Sequence, residues 1–214
     1  MQTITERRRQ RSPGGRPQPL AFHEGLLWIG SWDTSKLYAM ERQKWTLSQE
    51  IEAPGKPFGI ASVGGALWVV VALDDDDRFL FRFTPNGGFD PSSKTPCPDL
   101  TGSHLAADGP SLYLCQQGKR RILAIDEKGG VRREIALPTR CGGFAFQGPD
   151  NCRMLSADEE FDHLTFAQID IREPAPAVEP IAPIPPEARA LTFDGELWWT
   201  SHREANEIVA FTVS

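Results

Sequence analysis

The chain has 214 residues, 40% of them hydrophobic and 24% charged, and a net charge of −6. That is enough apolar material for one well-buried domain, while the acidic balance argues against a nucleic-acid binder, which needs a basic field. The longest apolar run, residues 66–73, is eight residues, far short of the ~20 that a membrane-crossing helix takes.

The amino terminus, MQTITERRRQRSPGG, lacks the apolar core of a secretory signal. A cytoplasmic location is therefore expected, with no membrane contact. Four cysteines follow, at Cys97, Cys115, Cys141 and Cys152, with no C-x-x-C pair among them. They read as reduced thiols rather than a disulfide framework.

From residue 20 onward the chain repeats. A short apolar strand ends in AFHEG, a second reads GLLWIGS (25–31), a third LYAM (37–40) and a fourth TLSQEIEAP (46–54). The third motif returns as LFRF, ILAI, FAQI and IVAF, beginning at Leu80, Ile122, Phe166 and Ile208, so successive copies are 43, 42, 44 and 42 residues apart. The second returns as GALWVVV (65–71), PSLYLCQ (110–116), DNCRMLS (150–156) and GELWWTS (195–201). Asp-Gly and Gly-Gly between apolar runs mark hairpin turns, and no segment sustains a 3.6-residue period. Short strands on a beat of about 42 residues predict an all-β, five-bladed β-propeller with four strands per blade. The strands are a to d from the axis outward. The blades fall at about 20–54, 55–101, 102–139, 140–186 and 187–214, the last completed by residues 2–8.

Blade five ends after strand c. Residues 2–6 are therefore expected to return as its strand d and close the ring, which removes an exposed edge; the alternative is a basic tail. Trp28, Trp68, Tyr113 and Trp198 recur at one strand-b position and read as packing between blades, with Arg153 in that slot of blade four. A gap or an ion pair is expected there. Residues 171–187 hold six prolines and should form a stiff outer edge and crossover.

GALWVVV, GELWWTSHREANEIVAF and the connector APGKPFGI (53–60) resemble the repeat of the streptogramin (virginiamycin B) lyase and NHL-type propellers. That repeat has a glycine, an apolar–Trp pair, a small or acidic strand end and an Asn-containing loop. The resemblance implies the propeller fold and a lyase-like activity. That lyase has seven blades against five here, and its catalytic His and Glu have no residue-by-residue counterpart. A five-bladed ring of this size is also similar to the plant-type glutaminyl cyclases, although this chain reads Phe58-Gly59-Ile60-Ala61 where that family carries an FGEG-type signature.

Propeller ligands sit where d–a connectors and b–c loops ring the channel mouth. The residues before each strand a are Pro19–Leu20, Phe58–Gly59, Ser103–His104, Gly142–Gly143 and Arg189–Ala190. The b-strand ends and b–c loops add Ser31, Trp32, Asp33, Gln116, Gln117, Ser156, Ser201, His202 and Arg203. This predicts a lyase or cyclase with His104 and His202 as its acid–base pair. Arg189 would anchor a small, anionic ligand, because a guanidinium fork binds both carboxylate oxygens. Trp32, Asp33, Gln116, Ser201, Arg203 and Phe58 would complete the binding surface. A non-catalytic ligand- or protein-binding scaffold is the other reading, since fold alone does not choose. Three minor readings are zinc held by His104, His202 and Cys141, Cys141 as a nucleophile, and calcium between the acidic runs 74–77 and 158–162. None has short ligand spacing, so no cofactor is expected.

Overall fold

The computed structural model describes residues 1–73 and 76–214. Strand β1 (Ile4–Arg11) comes first. Blade 1 is β2 (Pro17–His23), β3 (Leu26–Ser31), β4 (Lys36–Glu41) and β5 (Thr46–Glu52). Blade 2 is β6 (Lys56–Val63), β7 (Ala66–Ala72) and β8 (Arg78–Thr84), with two short pieces, β9 (Gly88–Phe89) and β10 (Thr95–Pro96), at its outer edge. Blade 3 is β11 (His104–Asp108), β12 (Ser111–Gln116), β13 (Arg121–Ile125) and β14 (Val131–Ala136). Blade 4 is β15 (Arg140–Phe146), β16 (Asn151–Ala157), β17 (Leu164–Asp170) and β18 (Glu179–Ile184). Blade 5 is β19 (Ala188–Phe193), β20 (Trp198–His202) and β21 (Glu207–Val213), and β1 joins it as the outermost strand. The molecule is a five-bladed β-propeller closed by its amino-terminal strand. No helix among the described residues is long and apolar enough to cross a membrane.

Turn chemistry explains why each blade is a meander. Gly64 and Gly65, with φ of 59° and 72°, link β6 to β7. Two consecutive positive φ values make the tight turn whose twist matches the flanking strands. The strands alternate side chains between two neighbouring blades, so both faces are apolar and both are buried.

The closing strand is longer than residues 2–6 and lies further along. It pairs antiparallel with β21 from Ile4↔Val213 to Arg11↔Glu207, with a bulge between Glu6 and Arg8. Thr3 and Ser214 exchange backbone hydrogen bonds of 2.7 and 3.1 Å just beyond it. The proline-rich stretch does supply an outer strand, β18, which pairs with β17 across a bulge at Phe166/Ala167.

One position differs from the sequence reading. Strand-b residues opposite the small residues of strand a are Trp28 (against Ala21), Trp68 (Ala61), Tyr113 (Ala106), Arg153 (Ala145) and, in blade 5, Trp199 against Thr192. Trp199, not Trp198, therefore holds the inter-blade slot, and it packs with Leu20, Leu27, Ile29 and Met40 of blade 1. Trp198 faces back into blade 4, with its ring 5.1 Å from that of Phe166. The cause is the turn: Gly195 stands one place earlier than Gly25 does, so aligning on glycine shifts the strand by one residue. A one-residue shift exchanges the two faces of a strand.

The five inner strands leave an axial channel. Leu20, Ile60, Leu105, Phe144 and Leu191 pinch it to about 10 Å³, about the least space that holds one water. This neck separates a funnel of 140 Å³ at one end from a mouth of 310 Å³ at the other.

Candidate functional site at the channel mouth

The mouth is built from the two loop sets that the repeat places on one face. The inner-strand starts contribute Gln18, Phe58, Ser103, His104 and Arg189, and the b–c loops contribute Trp32, Gln117, Glu160, Phe161 and Arg203. At its floor is His104, 5% exposed. No group among the described residues hydrogen-bonds its ring, which lines both the mouth and the neck. Burial pushes the imidazole pKa down to about 3, and Arg189 and Arg203 push in the same direction. His104 is thus neutral across the physiological range, with a donor and an acceptor turned toward the cavity wall.

Above it lies an aromatic collar that carries cations. Trp32 stacks obliquely on Phe58 at 4.5 Å and donates its indole N–H to Pro57 O at 2.8 Å. The Arg203 guanidinium lies 4.6 Å from the Trp32 ring, Arg78 3.7 Å from Phe58, and Arg189 4.7 Å from Phe161. Each such contact is worth ~0.5–2 kcal/mol and holds the fork in one orientation. Arg189 also donates to the Pro186 and Ala188 carbonyls at 2.6 and 2.7 Å. It does not pair with Glu187, and burial followed by Arg203 lowers its pKa. Arg203 reaches Gln18 Oε1 at 3.3 Å and Glu204 at 3.1 Å.

Two glycines make the floor. A β-carbon at Gly59 would come within 2.6 Å of the Leu105 amide nitrogen and 2.9 Å of the His104 carbonyl carbon. At Gly143 it would come within 2.5 Å of the Ala190 Cα. These contacts are with backbone, so no rotamer relieves them. We expect Gly59→Ala to displace the first residues of β11 and destabilise the fold by about 1–3 kcal/mol, read as a lower urea midpoint.

The remaining expected site residues lie elsewhere. His202 is on the opposite face of β20 from Ser201; it is 4% exposed and lines a separate 40 Å³ pocket with Ile4, Glu6, Arg9 and Ile184. The structure does not bring it to His104. Burial and then Arg9 lower its pKa. Ser201 and Gln116 are fully buried fasteners of the connectors. The Ser201 hydroxyl lies 2.7 Å from Arg189 O, while Gln116 donates to Pro98 O and Thr101 O at 2.5 and 3.0 Å. Asp33 is exposed beside Gly15 and does not line the cavity.

The metal and thiol readings do not fit this geometry. Cys141 is fully buried between blades 3 and 4 and donates to Gly143 O at 3.4 Å, so neither a zinc set with the separated histidines nor an accessible nucleophile forms. Among the described residues no group of three His, Cys, Asp or Glu side chains is placed to hold a metal ion. Of the first acidic run, Asp74 and Asp75 lie outside the described residues. In the second, Asp158 accepts from His163 at 2.9 Å and Glu159 from Arg140 at 2.9 Å.

Four contributors escaped the sequence reading: Gln18, Glu160, Phe161 and Arg78. Phe161 had a visible signal, a lone aromatic within an acidic loop. Gln18 had none.

No family model matches the chain, and no curated protein matches it in sequence. Solved structures do match its fold. Glutaminyl cyclase from Myxococcus xanthus superposes with a TM-score of 0.74 at 10% identity, over 100% of this chain and 97% of that one. Virginiamycin B lyase from Staphylococcus aureus gives 0.59 at 12% identity, over 99% of each chain. A PQQ-bound aldose sugar dehydrogenase from Streptomyces coelicolor gives 0.62 at 12%, over 95% of this chain and 79% of that one. All three are enzymes by name, and at such identities the likeness is one of fold.

Proposed function

We propose that the mouth binds a small molecule with a planar anionic group, and that His104 exchanges a proton with it in a reaction of the lyase or cyclase type. One observation carries this reading. Two guanidiniums, Arg189 and Arg203, are propped on aromatic rings above a buried, neutral imidazole that has no protein partner. A carboxylate between the two forks gains charge-assisted hydrogen bonds on both sides. It also offsets the guanidinium charges that help to depress His104, so its arrival raises the imidazole pKa toward the range useful for proton transfer. The narrow neck below favours this use, because a floor with room for little more than one water strengthens the charge interactions in the mouth. His202 sits outside this arrangement, so the second proton carrier is Glu160, the one carboxylate lining the cavity among the described residues, or solvent.

A specific observation supports the other reading. An imidazole pKa of about 3 lies far below the working range of a general base, which suits a neutral hydrogen-bonding group in a non-catalytic binding propeller. One experiment separates the two. Calorimetric titration with a panel of mono- and dicarboxylates should show saturable binding. Arg189→Met and Arg203→Met should each weaken it by roughly tenfold or more, since a hydrogen bond to a charged group is worth ~1.5–3 kcal/mol. His104→Gln should retain binding within a few-fold and abolish turnover of any ligand that reacts. Unchanged binding in the two arginine variants sinks the site; undiminished turnover in His104→Gln sinks the enzyme reading and leaves the binding module.

A further inference from the structure

The seam between blades 4 and 5 departs from the other four. At each of those, an aromatic strand-b side chain crosses into the next blade: Trp28 lies 5.1 Å edge-on to Phe83, Trp68 and Tyr113 enter the next clusters, and Trp199 closes the ring onto blade 1. In blade 4 the same slot holds Arg153. A guanidinium is solvated where an indole is not, so the seam stays open as a cleft of 330 Å³, the lower end of the range for small-ligand pockets.

The cleft has two chemically distinct sides. Arg153 and its cross-strand partner Gln168 form the polar side, with Gln147 at its lip. Trp198, Phe166 and Phe193 form the other, with ring centroids 4.6 Å apart for Phe193–Trp198 and 5.1 Å for Phe166–Trp198. Arg153 hydrogen-bonds the Asn151 side chain, and among the described residues no carboxylate reaches it at ion-pair distance. Partial burial lowers its pKa, so the protein gives this charge less solvation than water would. An arginine fork across a cleft from the partly exposed Phe193 ring, backed by Trp198 and Phe166, suits a flat ring bearing an acid group.

We propose that the seam between blades 4 and 5 is a second ligand site, separate from the mouth, that takes a small aromatic carboxylate with its acid group on Arg153 and its ring against Phe193 and the exposed rim of Trp198. Size fits: one ring with one carboxylate is far smaller than the cleft, so substituents are accommodated. Glu196, exposed at the rim, repels the acid group and sets the affinity low in the wild-type protein.

The probe is 4-fluorobenzoate, followed by fluorine line broadening and by amide shifts in the intact protein. Saturable shifts are expected at Trp198 and Gln168. Arg153→Met should weaken the binding tenfold or more, and Glu196→Gln should tighten it a few-fold. Arg189→Met, at the mouth, should leave the seam shifts in place, so failure of the mouth site and failure of the seam site are distinguishable. Should Arg153→Met not fold, Arg153→Trp gives the same readout, because it restores the residue type used at the other seams. It should fill the cleft, abolish the Trp198 shifts and raise the melting temperature. Shifts confined to mouth residues, or seam binding unchanged by either Arg153 substitution, would overturn the proposal. So would loss of the seam's structure in Glu196→Gln, which would make Glu196 the partner of Arg153.

Discussion

Removing residues 1–11 is expected to leave a chain that does not fold to a soluble monomer. Strand β21 is the third strand of its blade, and its residues Ile208, Val209, Ala210 and Phe211 are all buried. Without β1, the backbone of β21 loses the ladder from Ile4↔Val213 to Arg11↔Glu207. Each net hydrogen bond contributes ~1 kcal/mol, and the packing of Ile4 against the blade 4–5 core is lost as well. The sum is comparable to the entire ~5–15 kcal/mol that keeps a domain folded. Whatever did fold would present an open apolar strand edge, a template for aggregation. Circular dichroism and size-exclusion chromatography of the truncated chain test this, and a synthetic peptide of residues 1–14 added during refolding should rescue the monomer. A soluble truncated monomer with the wild-type urea midpoint would show that the ring closes without its amino-terminal strand.

The same strand shows what the sequence reveals and what it conceals. A 42-residue beat and a missing strand d made both blade number and closure legible, because each blade must bury two faces and blade 5 otherwise lacks its fourth strand. The strand's exact span was hidden by its composition: ITERRRQR has four arginines, yet as the outermost strand it needs only Ile4 turned inward. The lining of the mouth was legible in part. His104, Arg189, Arg203, Trp32 and Phe58 converge, since channel-facing positions follow from the repeat. His202 and Ser201 turn elsewhere, because the direction of a strand-end side chain depends on a register that one displaced glycine shifts, whereas Gln116 keeps its register and is drawn to the Pro98 and Thr101 carbonyls. Gly195 caused that displacement, and it misassigned Trp198 for the same reason. The open seam at Arg153 was legible as a break in an aromatic series, but its lining was not, since Gln2, Glu196 and Thr212 come from segments far apart in the chain.

His104 provides the second large effect, and here the sign is fixed by burial. Its pKa falls from 6.5 to about 3 on folding. The unfolded chain therefore binds a proton at this side chain below about pH 6.5 while the folded protein stays neutral until about pH 3, so acid favours unfolding throughout that window. One unit of difference corresponds to about 1.4 kcal/mol, and between pH 7 and pH 4 the loss from this group alone is roughly 3 kcal/mol. The positive groups facing the ring, Arg189 and Arg203, stay charged over this range, and Glu160, the carboxylate lining the mouth among the described residues, is exposed. His202 is also depressed and adds to the slope in the same direction, so wild-type acid sensitivity by itself does not isolate His104. His104→Gln does, because it keeps hydrogen-bonding capacity and cannot take up the proton. Urea unfolding at pH 7 and pH 4 should show a wild-type loss that exceeds the variant's by a few kcal/mol. Equal losses in the two proteins would mean that His104 is solvated in the folded state, and the neutral floor on which the proposed anion binding rests would not exist. A carboxylate bound in the mouth should shrink the wild-type loss, because it raises the folded-state pKa of the same ring. That coupling ties the stability measurement to the functional one through a single side chain.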